Sequence, residues 1–219
     1  MLDMWLTEVL GYPVYNSLTP PESDERSLTC AKVPVSDVGT VHELTELGFR
    51  IVDVNVQLGR KGYPEPYTGI GVMLARTVYH QSLLEIAGTC FNNSRFHHDP
   101  LIPNRDANRI KREWLRNCLN GKRSSEVWIG TDADSGQIAG FLAIQDRDGK
   151  HAIDLLGVAP AYRRWGVGTR LVQAFICRGN HDLLAGTSIS NSGAIGLYES
   201  RGFLIKSSAY VFHLHRGVS

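Results

Sequence analysis

The stretch Val158-Ala-Pro-Ala-Tyr-Arg-Arg-Trp-Gly-Val-Gly168 decides the fold that we predict for this chain. An apolar strand ends at Val158, and a helix begins near Gly166. The first N–H groups of a helix have no partner inside it, so those from Arg164 to Thr169 are available to an anion. Glycine at these positions lets phosphates approach the backbone. The stretch therefore predicts a strand, a pyrophosphate-binding loop and a helix.

This loop differs from the two common nucleotide-binding loops. It lacks the Lys-Ser/Thr pair of a P-loop and the third glycine of the dinucleotide fingerprint. Arg163 and Arg164 add positive charge beside it. On its own, Arg-x-x-Gly-x-Gly could equally be an ordinary helix start, so the interpretation depends on the segments around it.

A second informative segment follows about two dozen residues later, from Asn191 to Phe203. Asn191 is a suitable residue to cap a helix, and Gly202 is a suitable residue to end it. Three residues share one helix face by their spacing, namely Ala194, Leu197 and Tyr198. The segment therefore predicts a short helix that presents this face to the loop.

Together, the two segments resemble the signature motifs of the Gcn5-related N-acetyltransferase (GNAT) superfamily. The resemblance runs from about Ile70 to the C-terminus and implies transfer of an acetyl group from acetyl-CoA to a primary amine. It also implies an α/β (α+β) GNAT fold, a mixed, mostly antiparallel sheet with two splayed parallel central strands and flanking helices. The implied cofactor-binding residues are Leu156, Val158, Arg163, Arg164, Trp165, Gly166, Val167, Gly168, Thr169, Asn191, Ala194, Leu197 and Tyr198.

Three residues are candidates for the chemical step. The resemblance implies that the Val158 N–H stabilises the developing oxyanion. Tyr198 is the candidate general acid for the CoA thiolate, and the alternative is a packed core tyrosine with a bonded hydroxyl. Asp154 precedes Val158 by four strand residues, so we expect both on one face, where Asp154 could act as the base. A structural carboxylate or a chain of waters is the alternative.

The loop after residue 91 is the candidate acceptor site. The string Phe91-x-x-Ser94-Arg95-Phe96, followed by Trp114-x-x-Asn117 and Gly121, resembles the TDP-fucosamine acetyltransferase subgroup. That resemblance implies a small-molecule amine, a nucleotide-linked amino-deoxysugar, as the acceptor. The expected acceptor-binding residues are Ser94, Arg95, Phe96, His97 and Asp99.

Several simpler interpretations of this region stay open. Ser94 could be a turn residue, and Arg95 could pair with a local carboxylate. Adjacent histidines in a strand-like loop point apart, so no metal is predicted there. The basic run from Asn108 to Glu113 is more typical of a solvated helix face than of a binding patch.

Two rival functions also stay open. The first is a GNAT enzyme that acts on a protein N-terminus, a lysine, a polyamine or an aminoglycoside. An acidic cleft would favour such cationic acceptors, whereas a basic cleft with aromatic residues would favour a sugar nucleotide. The second rival, of another class, is a non-catalytic CoA-binding scaffold or sensor.

We predict two parts along the chain, a truncated GNAT-like N-terminal domain at 1–62 and the acetyltransferase domain at 63–219. A linker signal lies at 59–66, and Asp134–Gly136 and Asp148-Gly149 are predicted hairpin turns. The expected helices are 36–47, 78–91, 104–119, 166–178 and 192–200, and the expected strands are 27–35, 49–58, 70–77, 127–131, 137–145, 151–158, 183–189 and 203–215.

A shift of 154 positions aligns Gly48-Phe49 with Gly202-Phe203, which suggests an internal repeat that extends the sheet.

Bulk properties exclude several classes. The 219 residues carry a formal net charge of +1, with 42% hydrophobic and 21% charged residues, so neither nucleic acid nor a membrane is an expected partner. The N-terminus lacks a signal peptide pattern, so we expect a cytoplasmic protein. The four cysteines are scattered, which predicts reduced, buried thiols and no zinc site. A homodimer is a further expectation.

Overall fold

A computed structural model describes residues 1–63, 66–147 and 149–217 of the chain. The α-helices are α1 Met4–Leu10, α2 Val38–Glu46, α3 His80–Ala87, α4 Asn104–Leu119, α5 Val167–Ile176 and α6 Ser192–Ser200. The strands are β1 Val14–Asn16, β2 Ser27–Pro34, β3 Arg50–Lys61, β4 Val72–Leu74, β5 Glu126–Thr131, β6 Ile138–Arg147, β7 Lys150–Val158, β8 Asp182–Ser188 and β9 Leu204–Arg216. Within these ranges, no helix is long and apolar enough to cross a bilayer.

All of these strands belong to a single mixed sheet, ordered β1-β2-β9-β3-β8-β7-β6-β5-β4. Helices α5 and α6 pack on one face, where Leu171, Phe175 and Phe203 are fully buried. Helices α3 and α4 cover the other face around Leu83, Leu115 and Phe141. The predicted α/β fold with its mostly antiparallel sheet is confirmed.

The predicted elements from residue 27 onward are present, with ends displaced by a few residues. The sequence did not reveal α1 or β1, which are short. Residues 59–61, predicted as part of a linker, instead continue β3, which pairs with β8 and β9. Pro64, Glu65 and Asp148 lie outside the described residues, while the turn at Asp134–Gly136 joins β5 to β6 as expected.

The two parallel central strands separate part of the way along. β7 pairs with β8 only from Lys150–Asp182 to Ile153–Ala185, although both strands continue. At this point β7 has a bulge, because Leu155 pairs with Ala143 and Ile153 pairs with Ile144, which leaves Asp154 as the extra residue. A bulge bends a strand and increases its twist. The splay that we predicted is therefore present and begins at Asp154.

The suggested repeat agrees with the positions of the elements. A shift of 154 residues places α2 on α6 and moves β2 and β3 to within one residue of β8 and β9. Asp37 caps α2 as Asn191 caps α6, each by accepting a hydrogen bond from the N–H three residues later. Leu44 occupies the place of Tyr198 and is buried. β9 lies between β2 and β3, so the two predicted parts share one sheet, and their division at residue 62 stays a prediction.

A buried polar cluster attaches the segment 91–103 to β9. The Asp99 carboxylate accepts hydrogen bonds from His213 Nδ1 at 2.6 Å, His215 Nε2 at 2.7 Å and the Leu101 N–H at 2.9 Å. Burial alone would raise the pKa of Asp99, but these hydrogen bonds lower it below the usual range of aspartate. Burial lowers the pKa of His213 to about 4, although the bond to Asp99 opposes that shift. The native pair is therefore a carboxylate and a neutral imidazole.

This cluster should make the protein sensitive to mild acid. The unfolded chain binds a proton at His213 below about pH 6.5, whereas the folded chain does not until about pH 4. The free energy of unfolding should therefore fall as the pH is lowered across that interval. Asp99, whose pKa is lowered by folding, should add to the loss below about pH 4. Urea denaturation at a series of pH values measures the slope.

His213→Gln is the control, because the amide still offers Asp99 an N–H but does not titrate. We expect this variant to lose stability less steeply between about pH 6.5 and pH 4. An unchanged slope would show that another group causes the acid sensitivity.

Candidate functional site

The loop before α5 presents a run of unpaired main-chain donors. Gly166 is the N-cap of α5 with φ 78°, and no side chain caps the helix. Among the described residues, no protein acceptor takes a hydrogen bond from the N–H groups of Arg164 to Thr169. Arg164 also has a positive φ of 70°, unlike every other non-glycine residue described. The backbone is thus held in a conformation that turns consecutive N–H groups toward one side, as in an anion-binding nest.

The basic and aromatic side chains of the loop have different environments. Arg163 donates a hydrogen bond from Nη2 to the Cys90 carbonyl at 2.6 Å, which connects the loop to the end of α3. The Arg164 side chain is exposed at the cleft. Trp165 is 60% exposed and makes an edge contact with Tyr162, outside the cleft lining. Arg163 therefore has a structural contact, and Arg164 is the arginine free to meet a ligand charge.

Helix α6 closes the other side of this cleft. Asn191 Oδ1 accepts a hydrogen bond from the Ala194 N–H at 3.2 Å, which confirms the predicted cap. A Cβ atom at Gly168 would lie 3.3 Å from the Leu197 side chain, so glycine permits the close approach of α5 and α6. The resulting cleft is lined by Leu156, Val158, Arg163, Arg164, Gly166, Val167, Gly168, Thr169, Asn191, Ala194 and Leu197, with others from the ends of α3 and α6.

The edge of β7 offers main-chain groups to the same cleft. Ala159 donates its N–H to the Ala139 carbonyl at 2.8 Å, and Val158 lies opposite Gly140. Hydrogen bonding alternates along an antiparallel strand, so the N–H groups of Leu156 and Val158 point away from β6. β8 has already separated from β7 at this level. Both groups therefore face the gap between the splayed strands.

Tyr198 is not in the lining of this cleft and instead lines a cavity that adjoins it. Its side chain is 3% exposed and packs against the Phe203 ring, with 5.5 Å between centroids. Its hydroxyl makes no hydrogen bond within residues 1–63, 66–147 and 149–217, so the alternative of a bonded core tyrosine does not describe it. Burial raises the pKa of Tyr198, so the hydroxyl keeps its proton at neutral pH.

A second cavity of about 330 Å³ adjoins the cleft. Phe91, Asn93, Leu156, Asn191 and Ala194 line both spaces, so they form one continuous site. Side chains from α4 on one face of the sheet and from α6 on the other line this cavity. That is possible only because the sheet is open between β7 and β8.

Three of the five predicted acceptor-binding residues line this cavity, namely Ser94, Arg95 and Phe96. His97 and Asp99 do not. The His97 ring forms hydrogen bonds with Ser94 Oγ at 2.7 Å and Asn108 Oδ1 at 3.0 Å. Both of its ring nitrogens therefore stabilise the loop. Asp99 faces the interior because the two histidines of β9 hold its carboxylate, so we correct the expectation that it contacts the acceptor.

The sequence interpretation missed Lys111, which lines the cavity from α4 and is only 8% exposed. It lies inside the basic run that we interpreted as a solvated face. The neighbouring Arg109 does follow that expectation, because it is exposed and pairs with Asp106 at 3.1 Å. The periodicity of α4 could have separated them, since Lys111 lies four and seven residues before the buried Leu115 and Cys118.

Asp154 is surrounded by donors. Its Oδ2 accepts hydrogen bonds from Trp114 Nε1 at 2.9 Å and Arg123 Nε at 2.8 Å, with Ser124 and Cys118 near 3.3 and 3.4 Å. The bulge turns this carboxylate toward α4, whereas Val158 packs on the α5 side, so the two residues do not share a face as expected. The contacts of Asp154 agree with the structural alternative, a carboxylate that holds the bulge in place.

A comparison with protein families matches the acetyltransferase (GNAT) family to residues 81–203, more than half of the chain. The chain is 27% identical to the spore coat polysaccharide biosynthesis protein SpsD of Bacillus subtilis, over 91% of this chain and 70% of that protein. It is also 27% identical to a dTDP-fucosamine acetyltransferase of Escherichia coli, over 88% of this chain and 84% of the other.

Among solved structures, the fold is similar to a GCN5-related N-acetyltransferase from Sphaerobacter thermophilus. The TM-score is 0.60 at 17% identity, and the match covers 88% of this chain and 61% of the other. This similarity supports the fold. The GNAT resemblance that we drew from the two sequence segments is confirmed by the family match.

Asp154→Asn tests whether this carboxylate is structural. The amide keeps the shape but leaves Arg123 without its anion, so we expect a loss of about 2 kcal/mol in the free energy of unfolding. Turnover should fall by less than about tenfold, and the acidic limb of the pH–rate profile should persist, because no base is removed. Urea denaturation and steady-state kinetics measure the two effects.

The control is Asp134→Asn, in the exposed turn between β5 and β6, which should change neither quantity. A loss of about a hundredfold or more in turnover, with that limb abolished and stability intact, would identify Asp154 as the base instead.

Proposed function

This chain belongs to the acetyltransferase (GNAT) family and is an N-acetyltransferase, and we propose that it acetylates the primary amine of a nucleotide-linked amino-deoxysugar. We propose acetyl-CoA as the donor, bound in the cleft between α5, α6 and the end of β7. The acceptor enters the adjoining cavity beneath the segment 91–103. A small-molecule acceptor, rather than a macromolecule, agrees with a cavity of about 330 Å³.

The observation that supports this acceptor is the basic and aromatic character of the cavity. Lys32, Arg95 and Lys111 line it together with Phe91 and Trp114. Two carboxylates, Asp53 and Asp154, also line it, and Asp154 pairs with Arg123, so the basic side chains outnumber the acidic ones. A cavity with excess positive charge suits a phosphorylated acceptor and disfavours polyamines, lysine side chains and aminoglycosides, which carry several positive charges or lack an anion.

The fit of the donor rests on the main chain. The unpaired N–H groups from Arg164 to Thr169 supply donors for two linked phosphates, and Gly166 permits the left-handed backbone conformation at the start of the helix. Leu156 and Val158 offer strand-edge groups to an extended amide-containing arm. Asn191 lies where the cleft and the cavity meet. These residues would hold coenzyme A with its thiol end at the gap between β7 and β8.

Acetyl-CoA supplies an activated acetyl group on a thiol leaving group. The Val158 N–H donates a hydrogen bond to the carbonyl oxygen as negative charge develops on it. Tyr198 keeps its proton because burial raises its pKa, and its otherwise unbonded hydroxyl donates to the departing sulfur. Because Asp154 is occupied by its donors, the proposal assigns removal of the amine proton to water in the cavity.

The acceptor class is tested by release of CoA thiol from acetyl-CoA with a panel of amines. We expect kcat/KM to be highest for TDP-linked amino-deoxysugars and at least about a hundredfold lower for spermidine, an N-terminal peptide and an aminoglycoside. The same sugar without its nucleotide separates recognition of the amine from recognition of the phosphates. A preference for any cationic acceptor would contradict the proposed substrate.

Tyr198→Phe tests the proton donor. Because the hydroxyl has no protein partner, its loss should leave stability unchanged, while turnover falls by about a hundredfold or more. Calorimetry should show an acetyl-CoA affinity within about twofold of the wild type. Tyr210→Phe, on β9 and outside both cavities, is the matched control. Unaltered turnover in Tyr198→Phe would remove this residue from the mechanism.

A further inference from the structure

Lys111 is a cation that the fold buries in the wall of the acceptor cavity. It is 8% exposed, and its Nζ lies 4.7 Å from the centre of the Trp114 ring and 5.1 Å from that of Phe91. No carboxylate or hydrogen-bond acceptor contacts this Nζ in the described ranges 1–63, 66–147 and 149–217. The two aromatic rings therefore contact the ammonium group directly, whereas the Asp154 carboxylate of the same cavity attracts it only at longer range.

Three other basic residues of α4 form ion pairs. Arg105 and Arg109 pair with Asp106, and Arg116 pairs with Glu113, all at the surface. Among the described residues, Arg112 also lacks an ion pair, and its buried Nε has no hydrogen-bond partner. Lys111 is the unpaired cation of α4 that lines the cavity. Burial of an ammonium group without a partner is costly, and contact with aromatic rings recovers only part of that cost. A ligand with an anionic group that contacts Lys111 would offset this desolvation cost.

The environment of the cavity reinforces this view. Burial, assisted by the nearby Arg95 guanidinium and opposed by the Asp154 carboxylate, lowers the pKa of Lys111 to about 8. Arg95 lies over the Phe96 ring at 4.5 Å and lines the same cavity. Two cations that line one cavity favour the binding of an anion between them. They disfavour a second positive charge from an acceptor.

We propose that Lys111 is a specificity-determining residue that binds a phosphate oxygen of the acceptor. The proposal rests on the proposed function, since it takes the acceptor to be a nucleoside diphosphate sugar, and it adds the residue that recognises the diphosphate. Phe91 and Trp114 hold the ammonium group ready, so that binding needs no reorganisation of the side chain. Arg95 provides a second donor.

The direct test is calorimetric titration of thymidine diphosphate into protein already saturated with coenzyme A, so that the α5 loop is occupied. We expect binding to the wild type, and about hundredfold weaker binding to Lys111→Met, because a buried charged partner is lost. Arg109→Met, on the same helix but exposed, is the matched control and should bind like the wild type. Equal affinity in Lys111→Met and wild type overturns the proposal, as does a wild type that does not bind.

Glucuronate in a parallel titration distinguishes the source of the oxyanion. Binding of thymidine diphosphate without glucuronate supports a phosphate site. If glucuronate binds, this binding depends on Lys111 and thymidine diphosphate does not bind, the site recognises a carboxylate and the phosphate assignment is overturned.

Thermal unfolding of the ligand-free protein separates this role from a structural one. Methionine has a similar shape and no charge, so Lys111→Met should melt at the same temperature as the wild type or higher. A lower melting temperature would show that the ammonium group stabilises the fold and would count against a site that awaits a ligand.

Steady-state kinetics distinguish the proposed role of Lys111 from the proposed function of the enzyme. In Lys111→Met, the KM for a TDP-linked amine should rise by about a hundredfold, with kcat and the KM for acetyl-CoA little changed. If thymidine diphosphate binds through Lys111 but no nucleotide-linked amine is acetylated, the proposed function fails and the phosphate site stands. If such amines are acetylated equally well by Lys111→Met, the function stands and the role of Lys111 is refuted.

Discussion

The separation of β7 from β8 is the constraint on which the rest of the site depends. Their parallel ladder ends at Ile153–Ala185, directly before the bulge at Asp154. Beyond it, the N–H groups of Leu156 and Val158 have no neighbouring strand on one side. A sheet that stayed closed here would satisfy these groups and would leave no passage between its two faces. The opening therefore creates both the unpaired edge and the cavity in which we propose that the acceptor binds.

One half of the site presents mainly main-chain groups, and the other half presents mainly side chains. The half that we propose for the cofactor presents main-chain N–H groups of the α5 loop and of β7, and the local backbone conformation decides which groups are exposed. The acceptor half uses side chains from α4, β3 and the segment 91–103. Asp99 attaches that segment to β9 through His213 and His215, far from it in the chain. Distant parts of the fold thus set the shape of the acceptor cavity.

This division also explains how much could be predicted from the sequence. The strand, glycine loop and helix around Gly166, the Asn191 cap and the succession of strands and helices follow from local rules of glycine, capping and periodicity, and they were predicted. The face of Asp154 was predicted wrongly because a bulge changes the two-residue alternation, and a bulge leaves little trace in sequence. Lys111 and Asp99 were misplaced because their environments come from segments that are remote in the chain. No local pattern reports which basic residue of α4 turns inward beside Phe91.

The most direct measurement of the central claim is the response of individual backbone amides to coenzyme A. In nitrogen-15-labelled protein, the resonances of Arg164 to Thr169 should shift most on titration with coenzyme A, and their amide hydrogens should exchange more slowly. Pantetheine, which lacks the two linked phosphates, should leave these resonances in place while it shifts those of Leu156 and Val158. Binding of coenzyme A that leaves the amides from Arg164 to Thr169 unperturbed would contradict the account.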